Sequence, residues 1–171
     1  MNLIELLRED HRKCSALISE LYHDVKQIEG TELDVIDCER MVTFVKLRDA
    51  ITRHHDIEKR FFYPALEKFV ETQALIRECY REHKEILELV RKMEDLRREK
   101  HCDRWDDELV ELRHSLRHHF EREEDKLFPK AIRLLGEARM ERMLFEIEGA
   151  LSEQCETGSA VLVAKRPAVG L

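Results

Sequence analysis

The stretch RHHDIEKRFFYP, Arg53–Pro64, recurs further along the chain as RHHFEREEDKLFP, Arg117–Pro129. When the two are aligned on His54 and His119, each has a glutamate four residues later and a proline ten residues later. Both stretches continue apolar patterns with helical spacing, so polar side chains recur where a buried helix face is expected. The repeat raises the question of what could hold these polar groups inside a helical core.

Composition narrows the class of protein. The chain has 171 residues, which is the size of one domain, and 39% of them are charged, with 5 glycines and 3 prolines. This balance favours long amphipathic helices over strands, which need frequent turn residues. The formal net charge of −7 argues against nucleic acid as the main partner.

The hydropathy pattern and the N-terminal residues indicate the compartment. No apolar run approaches the length of a membrane span, and the start MNLIELLREDH is acidic where a signal peptide is basic. We therefore expect a cytoplasmic protein without membrane contact.

The cysteines are odd in number and never spaced as Cys-x-x-Cys, which predicts reduced thiols without a disulfide framework. They are Cys14, Cys38, Cys79, Cys102 and Cys155.

Helical periodicity divides the chain into four long segments and a shorter fifth. The predicted helices cover about 3–28, 34–69 and 72–98, a fourth begins near Trp105, and the fifth covers 137–151 after Gly136. Pro64 is expected to kink or interrupt the second helix. The short connections predict an all-α, up-down-up-down antiparallel four-helix bundle with a short additional C-terminal helix. We expect one domain over 1–151 and a tail, 152–171, that either is disordered or packs on the outside.

On each long helix, apolar residues recur every three or four places and form a stripe along one face, here called the apolar seam. Histidine or glutamate interrupts this seam on every long helix. A lone histidine opens each half of the chain, and a His-x3-Glu pair follows it, so the halves resemble two copies of one helical hairpin. The i, i+4 spacing puts both members of a pair on one helix face. The six interrupting residues are His11, His54, Glu58, His83, His119 and Glu123.

These six residues predict a metal centre. A buried, unpaired carboxylate is costly, and it takes up a proton more readily than it stays charged. Imidazole and carboxylate are ligands for iron, manganese or zinc, and helical bundles build such sites in their interiors. The sequence therefore predicts a two-metal cage in which each glutamate reaches across to bridge the ions. A histidine on one seam alone would more often be a hydrogen-bonded core residue.

Neighbouring polar residues are assigned by register. His55 and His118 lie one step off their seams, so we expect them on helix flanks, either solvated or supporting the ligands by hydrogen bonds. His23, His101 and His114 are expected at the surface. Glu124, beside Glu123, is a candidate substitute carboxylate.

Another bundle template pairs Glu-x-x-His on two helices with single glutamates on the other two, as in ferritin-like proteins. Glu20-x-x-His23 and Glu111-x-x-His114 match this string, but both pairs lie off the apolar seams. We expect them to face water, and this template is rejected.

Cysteines and aromatic residues adjoin the predicted site. Cys14 and Cys79 lie within one turn of predicted ligands, and we expect small buried apolar residues rather than thiol ligands. Aromatic residues are predicted to wall off the site, and one of them, a tyrosine, could also offer a hydroxyl. They are Phe61, Phe62, Tyr63 and Phe128.

The order of the six residues, with FYPAL and LFPKA closing the two halves, resembles the hemerythrin-like family of bacterial cation-binding domains over about 3–135. The resemblance implies a non-haem di-iron centre with carboxylate bridges and an oxygen-derived bridge, acting on O₂, H₂O₂ or NO. It assigns the six residues as ligands, the two glutamates as bridges. Two departures stand out: four residues after His83 the chain has Leu87 where oxygen carriers have histidine, and the last pair is His-x3-Glu instead of His-x4-Asp.

Ligand counting on that template favours peroxide turnover over oxygen storage. Two octahedral irons offer twelve positions, and four histidines, two bridging glutamates and a bridging oxygen leave two positions open. Openings on both irons suit peroxide bound side by side, whereas reversible O₂ carriage suits a single open iron. A further ligand, such as Tyr63, Glu124 or water, would weaken this inference.

Three readings of the function follow. We expect a di-iron protein with catalase- or peroxidase-like turnover, acting as a monomer or weak homodimer, with manganese or zinc as alternative metals. The second reading is an iron, oxygen or nitric-oxide sensing or iron-handling module without turnover. A metal-free interaction protein would leave the buried Glu58 and Glu123 unexplained.

Overall fold

A computed structural model describes residues 2–27, 33–98 and 102–163, and the side chains within 2–22, 40–97 and 104–152. The scarcity of glycine and proline lets long helices form, and among these residues there is no strand. Two short π-helical segments, at Glu58–Phe62 and Glu123–Leu127, interrupt the α-helices. The α-helices are α1 (Leu3–Gln27), α2 (Leu33–Ile57), α3 (Tyr63–Leu66), α4 (Val70–Arg98), α5 (Cys102–Arg122), α6 (Phe128–Leu135) and α7 (Glu137–Val163).

The all-helical prediction is confirmed. Helix α1 packs against α2 and α5, and α4 packs against α5 and, less extensively, against α2. The shorter α3 and α6 contact each other beneath these helices, and α7 contacts α1 and α6. Within the described residues, no helix combines the length and apolarity needed to cross a membrane.

The two prolines of the repeat coincide with the two π segments. Proline has no N–H to donate, and its ring clashes with the carbonyl four residues earlier. Before each proline the helix widens, so that the N–H of Tyr63 donates to the carbonyl of Glu58, and the N–H of Phe128 donates to that of Glu123. The interruption expected near Pro64 is therefore a widened turn, which begins at the glutamate of the repeat.

Two predicted helix ends differ from the structure. The α-helical part of the second helix ends at Ile57, where the π segment begins, instead of near residue 69. Helix α7 begins after Gly136, as predicted, but continues to Val163 instead of ending near 151. Apart from Gly158, its extension contains no helix breaker before Pro167. Residues 164–171 and the predicted end of the first helix near residue 28 lie outside the described residues, and the domain boundary at 151 stays a prediction.

The apolar core forms two clusters with a polar layer between them. The first, here the proline-end cluster, includes Leu3, Leu7, Phe62, Leu66, Ile76, Phe128 and Ile147. The second, the distal cluster, includes Ile18, Leu21, Phe44, Leu47, Val90, Met93, Leu109 and Leu112. The buried histidines and glutamates of the repeat lie between these clusters along the helices.

The distal cluster should stabilise the fold without taking part in the polar layer. Leu109 is fully buried and lies ten residues before His119, whereas the adjacent Val110 is half exposed. We expect Leu109→Ala to lower the free energy of unfolding by about 2–5 kcal/mol, and Val110→Ala to change it by less than about 0.5 kcal/mol. Urea unfolding of both variants measures this, and equal effects would contradict the assignment.

Candidate metal centre

The structure brings all six predicted ligands together in the polar layer, and each is at most 2% exposed. Helix α1 supplies His11, α2 supplies His54, and Glu58 is the first residue of the following π segment. Helices α4 and α5 supply His83 and His119, and Glu123 begins the second π segment. The repeat in sequence is therefore a repeat in structure, and the role of the six residues as metal ligands remains a prediction.

The histidines form two pairs, one from each half of the chain. His11 Nε2 lies 3.1 Å from His54 Nε2, and His83 Nε2 lies 3.0 Å from His119 Nε2. Each pair joins consecutive long helices, α1 with α2 and α4 with α5. The layer thus has an α1–α2 half and an α4–α5 half, each with two imidazoles aimed at the centre.

The two glutamates lie between the halves. Glu58 Oε2 is 3.3 Å from His54 Nε2 in its own half and 3.1 Å from His83 Nε2 in the other. Glu123 Oε2 is 3.7 Å from His119 Nε2 in its own half and 3.2 Å from His11 Nε2 in the other. Each carboxylate can therefore reach groups that belong to both halves, as a bridging ligand must.

Three more carboxylates lie near the Nδ1 atoms of the histidines, on the side away from the centre of the layer; they are called backing carboxylates below. Glu124 Oε1 is 2.7 Å from His11 Nδ1, and Glu82 Oε2 is 3.0 Å from His119 Nδ1. Asp10 Oδ2 is 3.9 Å from His54 Nδ1, beyond hydrogen-bond distance. Such partners fix the orientation of a ligating imidazole.

Sequence reasoning missed Asp10 and Glu82, although a signal was available. Each immediately precedes the histidine that opens its half of the chain, in Asp10–His11 and Glu82–His83. Glu124 was predicted as a substitute carboxylate ligand, but its side chain is 38% exposed and faces the outer nitrogen of His11. In this structure it supports a histidine and does not point into the layer.

Tyr63 reaches the centre of the layer with its hydroxyl. The hydroxyl donates to Glu123 Oε1 at 2.7 Å, and it lies 3.0 Å from His83 Nε2 and 3.3 Å from Glu58 Oε2. Burial, with the nearby Glu123 and Glu58, raises the pKa of Tyr63 well above its ordinary value. The phenol therefore holds its proton at a point shared by both glutamates, and the hydroxyl expected from the sequence is in place.

His55 contradicts its predicted position. It is 2% exposed, and its ring stacks on that of His83 with centroids 3.6 Å apart and planes at 11°. Neither ring nitrogen has a hydrogen-bond partner among the described residues, so His55 is neither solvated nor hydrogen-bonded to a ligand. His118, which immediately precedes His119, is 57% exposed as predicted. His55 is buried together with His54 because α2 packs on both α1 and α4, so two adjacent residues can face inward.

Aromatic rings enclose the α1–α2 half. Phe120 stacks on His11 with centroids 4.0 Å apart, and Phe128 lies parallel to the same imidazole at 5.6 Å. Phe62 packs edge-on against Phe128. Phe61 is only partly buried, with the Arg60 guanidinium over its ring, so it does not wall the site as predicted. Phe120 was missed because the residue after His119 lies off the seam.

The two cysteines near the site are buried free thiols. Burial raises the pKa of Cys14 to about 12, and burial with the charges of Glu123 and Glu58 raises that of Cys79 further. Both thiols therefore remain protonated, as expected of small apolar residues. Cys79 is nevertheless close to Glu82 and His119 in an arrangement that could hold an ion.

The described residues of the rejected ferritin-like pattern face solvent, as expected. Glu20, Glu111 and His114 are exposed. The side chains of His23 and His101 lie outside the described residues.

The electrostatics of the layer explain why it suits cations. Burial, reinforced by the neighbouring Glu123, raises the pKa of Glu58 well above its ordinary value. Burial alone would also raise the pKa of Glu123, but the imidazoles of His119 and His11 outweigh it and lower that pKa. Burial also lowers the pKa of His54 and His83, the latter to about 2, so these imidazoles are neutral with lone pairs available.

The donor set fits metal ions. His11, His54, Glu58 and Glu123 have ligand atoms within 4.8 Å of one another, and so do His55, His83 and His119. Glu58 Oε1 is buried without a hydrogen-bond partner among the described residues. Imidazole nitrogens and carboxylate oxygens are ligands for iron, zinc and manganese. Each of these two groups of residues therefore has a donor set that could hold a metal ion.

Comparison with known proteins agrees with this chemistry. The family model described as "Hemerythrin HHE cation binding domain" matches residues 2–131, which include all six predicted ligands. Comparisons with curated proteins and with solved structures gave no match.

The neutral imidazoles predict an acid-sensitive metal-free protein. His54, His55 and His83 have folded-state pKa values below their ordinary 6.5, so only the unfolded chain binds protons there as the pH falls below that value. After chelation of metal, the free energy of unfolding should fall below about pH 6.5, by about 1.4 kcal/mol per pH unit for each net proton. Glu58 and Asp10, whose pKa values are raised, oppose this trend but are outnumbered.

Urea unfolding of the chelated protein at about pH 7.5, 6.5 and 5.5 measures this dependence. The variant His114→Ala removes an exposed histidine and should leave the dependence unchanged. Stability that stays constant or rises on acidification would show that the buried imidazoles are not neutral.

Proposed function

The chain belongs to the hemerythrin HHE cation-binding family, and on that premise we propose that its polar layer holds two iron ions and that the loaded protein turns over hydrogen peroxide. The observation that carries the proposal is the position of Glu58 and Glu123, each within 3.3 Å of an imidazole nitrogen of the opposite half. Two carboxylates placed in this way suit bridging between two ions.

The bundle that supports this centre is proposed to have up-down-up-down topology. His11 near the start of α1 contacts His54 near the end of α2, and Glu20 near the end of α1 accepts a hydrogen bond from Thr43 near the start of α2. This crossing pattern is that of an antiparallel pair, and the same pattern joins α4 with α5. In an antiparallel pair of this kind, the histidines of both helices lie at the same level along the bundle.

The ligands divide between the ions by halves. His11 and His54 would hold one ion, His83 and His119 the other, and Glu58 with Glu123 would bind both. When bound, iron supplies redox chemistry and Lewis acidity at this point. Iron, manganese and zinc all accept these ligands, and the reaction needs a redox-active metal, which excludes zinc; of the other two, iron is proposed because the resemblance to the hemerythrin-like family implies it.

Turnover needs protons to move, and Tyr63 is placed to hold one. Two molecules of H₂O₂ give one O₂ and two H₂O, so protons leave one peroxide and reach the other. The Tyr63 hydroxyl lies within hydrogen-bond distance of Glu123, His83 and Glu58, with Glu123 nearest at 2.7 Å. A proton held there can pass to a neighbouring carboxylate or to a peroxide molecule that lies beside the hydroxyl.

The α1–α2 half combines water exclusion with a route to solvent. Phe120 and Phe128 cover His11, which keeps bulk water away from the imidazole on that side. Glu124 contacts the outer nitrogen of His11 and is 38% exposed, so it connects the buried imidazole with the surface. The two-vacancy count made from the sequence holds only if His55 does not bind metal.

The variant Tyr63→Phe tests the turnover proposal. We expect it to retain two irons per chain but to evolve oxygen from H₂O₂ about 10²-fold more slowly, because the proton-holding hydroxyl is gone. Tyr80→Phe is the matched control, since its ring is 5.1 Å from that of Tyr63 but it is only partly buried. An oxygen electrode and metal analysis give both quantities.

Two results would contradict the proposal. Oxygen evolution by the wild-type protein no faster than that of free iron at the same concentration would remove turnover. Fewer than two metal ions per chain at saturation would remove the two-ion centre.

A sensing or iron-handling role without turnover is the second candidate. Met140, Met143 and Ile147 of α7 pack in the same proline-end cluster as Phe62 and Phe128, next to the metal ligands. A change at the centre could therefore alter the packing of α7. Metal-dependent protection of α7 from proteolysis, without peroxide turnover, would favour this role.

A further inference from the structure

A surface cleft between α1 and α5 lies outside the polar layer, and the proposed function makes no use of it. Its volume is about 370 Å³. One wall is the face of α1 that contains residues 15, 19 and 22, and the other is the face of α5 that contains residues 110, 113 and 117. Small-molecule sites in proteins have volumes of about 300–1,000 Å³, so the cleft is large enough to be one.

The cleft is cationic, although the chain as a whole is acidic. The sequence has 37 aspartates and glutamates and 30 lysines and arginines, yet no carboxylate is among the described residues that line the cleft. Arg113, His114 and Arg117 form the polar part of the α5 wall. A wall with two guanidinium groups and no carboxylate is not expected from this composition, and it favours an anionic ligand.

The two guanidinium groups are available to a ligand. They are four residues apart, which places them on one face of α5. The Arg113 guanidinium lies over the ring of Tyr22, with Cζ 4.3 Å from the ring centroid, and forms no ion pair with a described residue. Arg117 Nε lies 3.9 Å from Glu121 Oε1, but these side chains are 66% and 62% exposed, so the pair is weak. Both arginines can therefore direct N–H groups at an anion.

The facing wall of α1 presents hydroxyl groups. Ser15 and Ser19 both line the cleft and lie about one helical turn apart. Neither hydroxyl has a hydrogen-bond partner among the described residues, whereas those of Thr52 and Ser152 each donate to the carbonyl four residues earlier. The two serine hydroxyls therefore remain free to donate to a ligand in the cleft.

The cleft also has an apolar floor, formed by Ile18, Val110 and Leu116. Ile18 and Leu116 are buried, and Val110 is half exposed. A phosphate group has five heavy atoms, and one water molecule takes about 30 Å³, so a phosphate group alone would leave much of the cleft and its apolar floor unused. Guanidinium groups bind phosphate oxygens through paired N–H donors. The lining therefore fits a phosphate group that carries a small organic part.

We propose that the α1–α5 cleft binds a small organic phosphate, whose phosphate group is held by Arg113, Arg117 and the serine hydroxyls. Its organic part lies against the apolar floor. The site needs no metal ion, so the proposal does not rest on the di-iron function. Because α1 carries His11 and α5 carries His119, the ligand connects two helices that supply imidazoles to different halves of the polar layer.

Isothermal titration calorimetry of the full chain tests the ligand class. The probes are ribose 5-phosphate, adenosine monophosphate, inorganic phosphate and uncharged adenosine, at about 0.15 M salt to screen exposed charges that belong to no site. At least one organic phosphate should bind at one molecule per chain, and adenosine should bind at least about tenfold more weakly than adenosine monophosphate. Inorganic phosphate should also bind more weakly than the organic phosphate, because it cannot use the apolar floor.

The variant Arg117→Gln tests the location of the site, with Arg81→Gln as the matched control. Arg81 is 60% exposed and pairs with Glu85 four residues later, as Arg117 does with Glu121, but it lies on α4 outside the cleft. Both variants change the net charge equally. Arg117→Gln should weaken binding of the organic phosphate at least about tenfold, because a charged donor is lost, and Arg81→Gln should leave it unchanged.

A second pair of variants tests the shape of the cleft without changing its charge. Ser19→Leu places a larger side chain in the cleft and should weaken binding at least about tenfold, whereas Ala16→Leu changes an exposed neighbour that does not line the cleft and should have no effect. Circular dichroism of each variant checks that it folds. If Ser19→Leu does not fold, the two arginine variants decide the question.

Three results would overturn the proposal. The first is the absence of binding by both organic phosphates. The second is equal binding of adenosine and adenosine monophosphate, or of inorganic phosphate and the organic phosphates, since the phosphate group or the organic part would then have no role. The third is equal weakening by Arg117→Gln and Arg81→Gln, which would show attraction to the surface charge in general. None of these results bears on the metal centre.

Discussion

The structure depends on the neutralisation of two carboxylates, Glu58 and Glu123, that are fully buried between two apolar clusters. The imidazoles of His119 and His11 offset the burial of Glu123, but burial keeps His54 and His83 unprotonated, so these two provide no charge to compensate Glu58. An uncompensated buried charge costs several kcal/mol, on the order of the whole stability of a small domain. One proton can be kept on Glu58, whose pKa is raised, but divalent or trivalent cations satisfy both carboxylates and the imidazole lone pairs together.

Much of the site could be predicted from the sequence because burial follows helical periodicity regardless of residue type. His11 and His83 occupy positions where apolar residues recur every three or four places, so a seam identified from leucine and isoleucine also locates the histidines. The same logic located Glu58 and Glu123, since the i, i+4 spacing keeps them in phase with the preceding histidines. The all-helical fold followed from the same pattern.

Other features could not be predicted, because they depend on how helices are arranged around one another. A seam describes one contact face, but α2 packs on both α1 and α4, and adjacent residues differ by about 100° around the helix axis. His54 therefore faces His11 while His55 faces His83, and both are buried. The π segments are a second example, because proline indicates an interruption without showing that the helix widens at the glutamate. The sequence signals Asp10 and Glu82 beside His11 and His83, but the histidine that each one approaches lies on the neighbouring helix and depends on how the helices pair.

The α1–α2 half and the α4–α5 half differ in the carboxylates that lie behind their histidines. Behind His119, Glu82 is buried and accepts a hydrogen bond from Arg122 Nε at 2.8 Å, so the two side chains form an ion pair. Behind His11, Glu124 is 38% exposed, and the nearest guanidinium atom is Arg8 Nε at 3.8 Å. The α1–α2 half is thus the half whose histidine is connected to solvent, through Glu124. The carboxylate behind His119 is instead buried and paired with Arg122, so the two halves differ in how their outer imidazole nitrogens are separated from solvent.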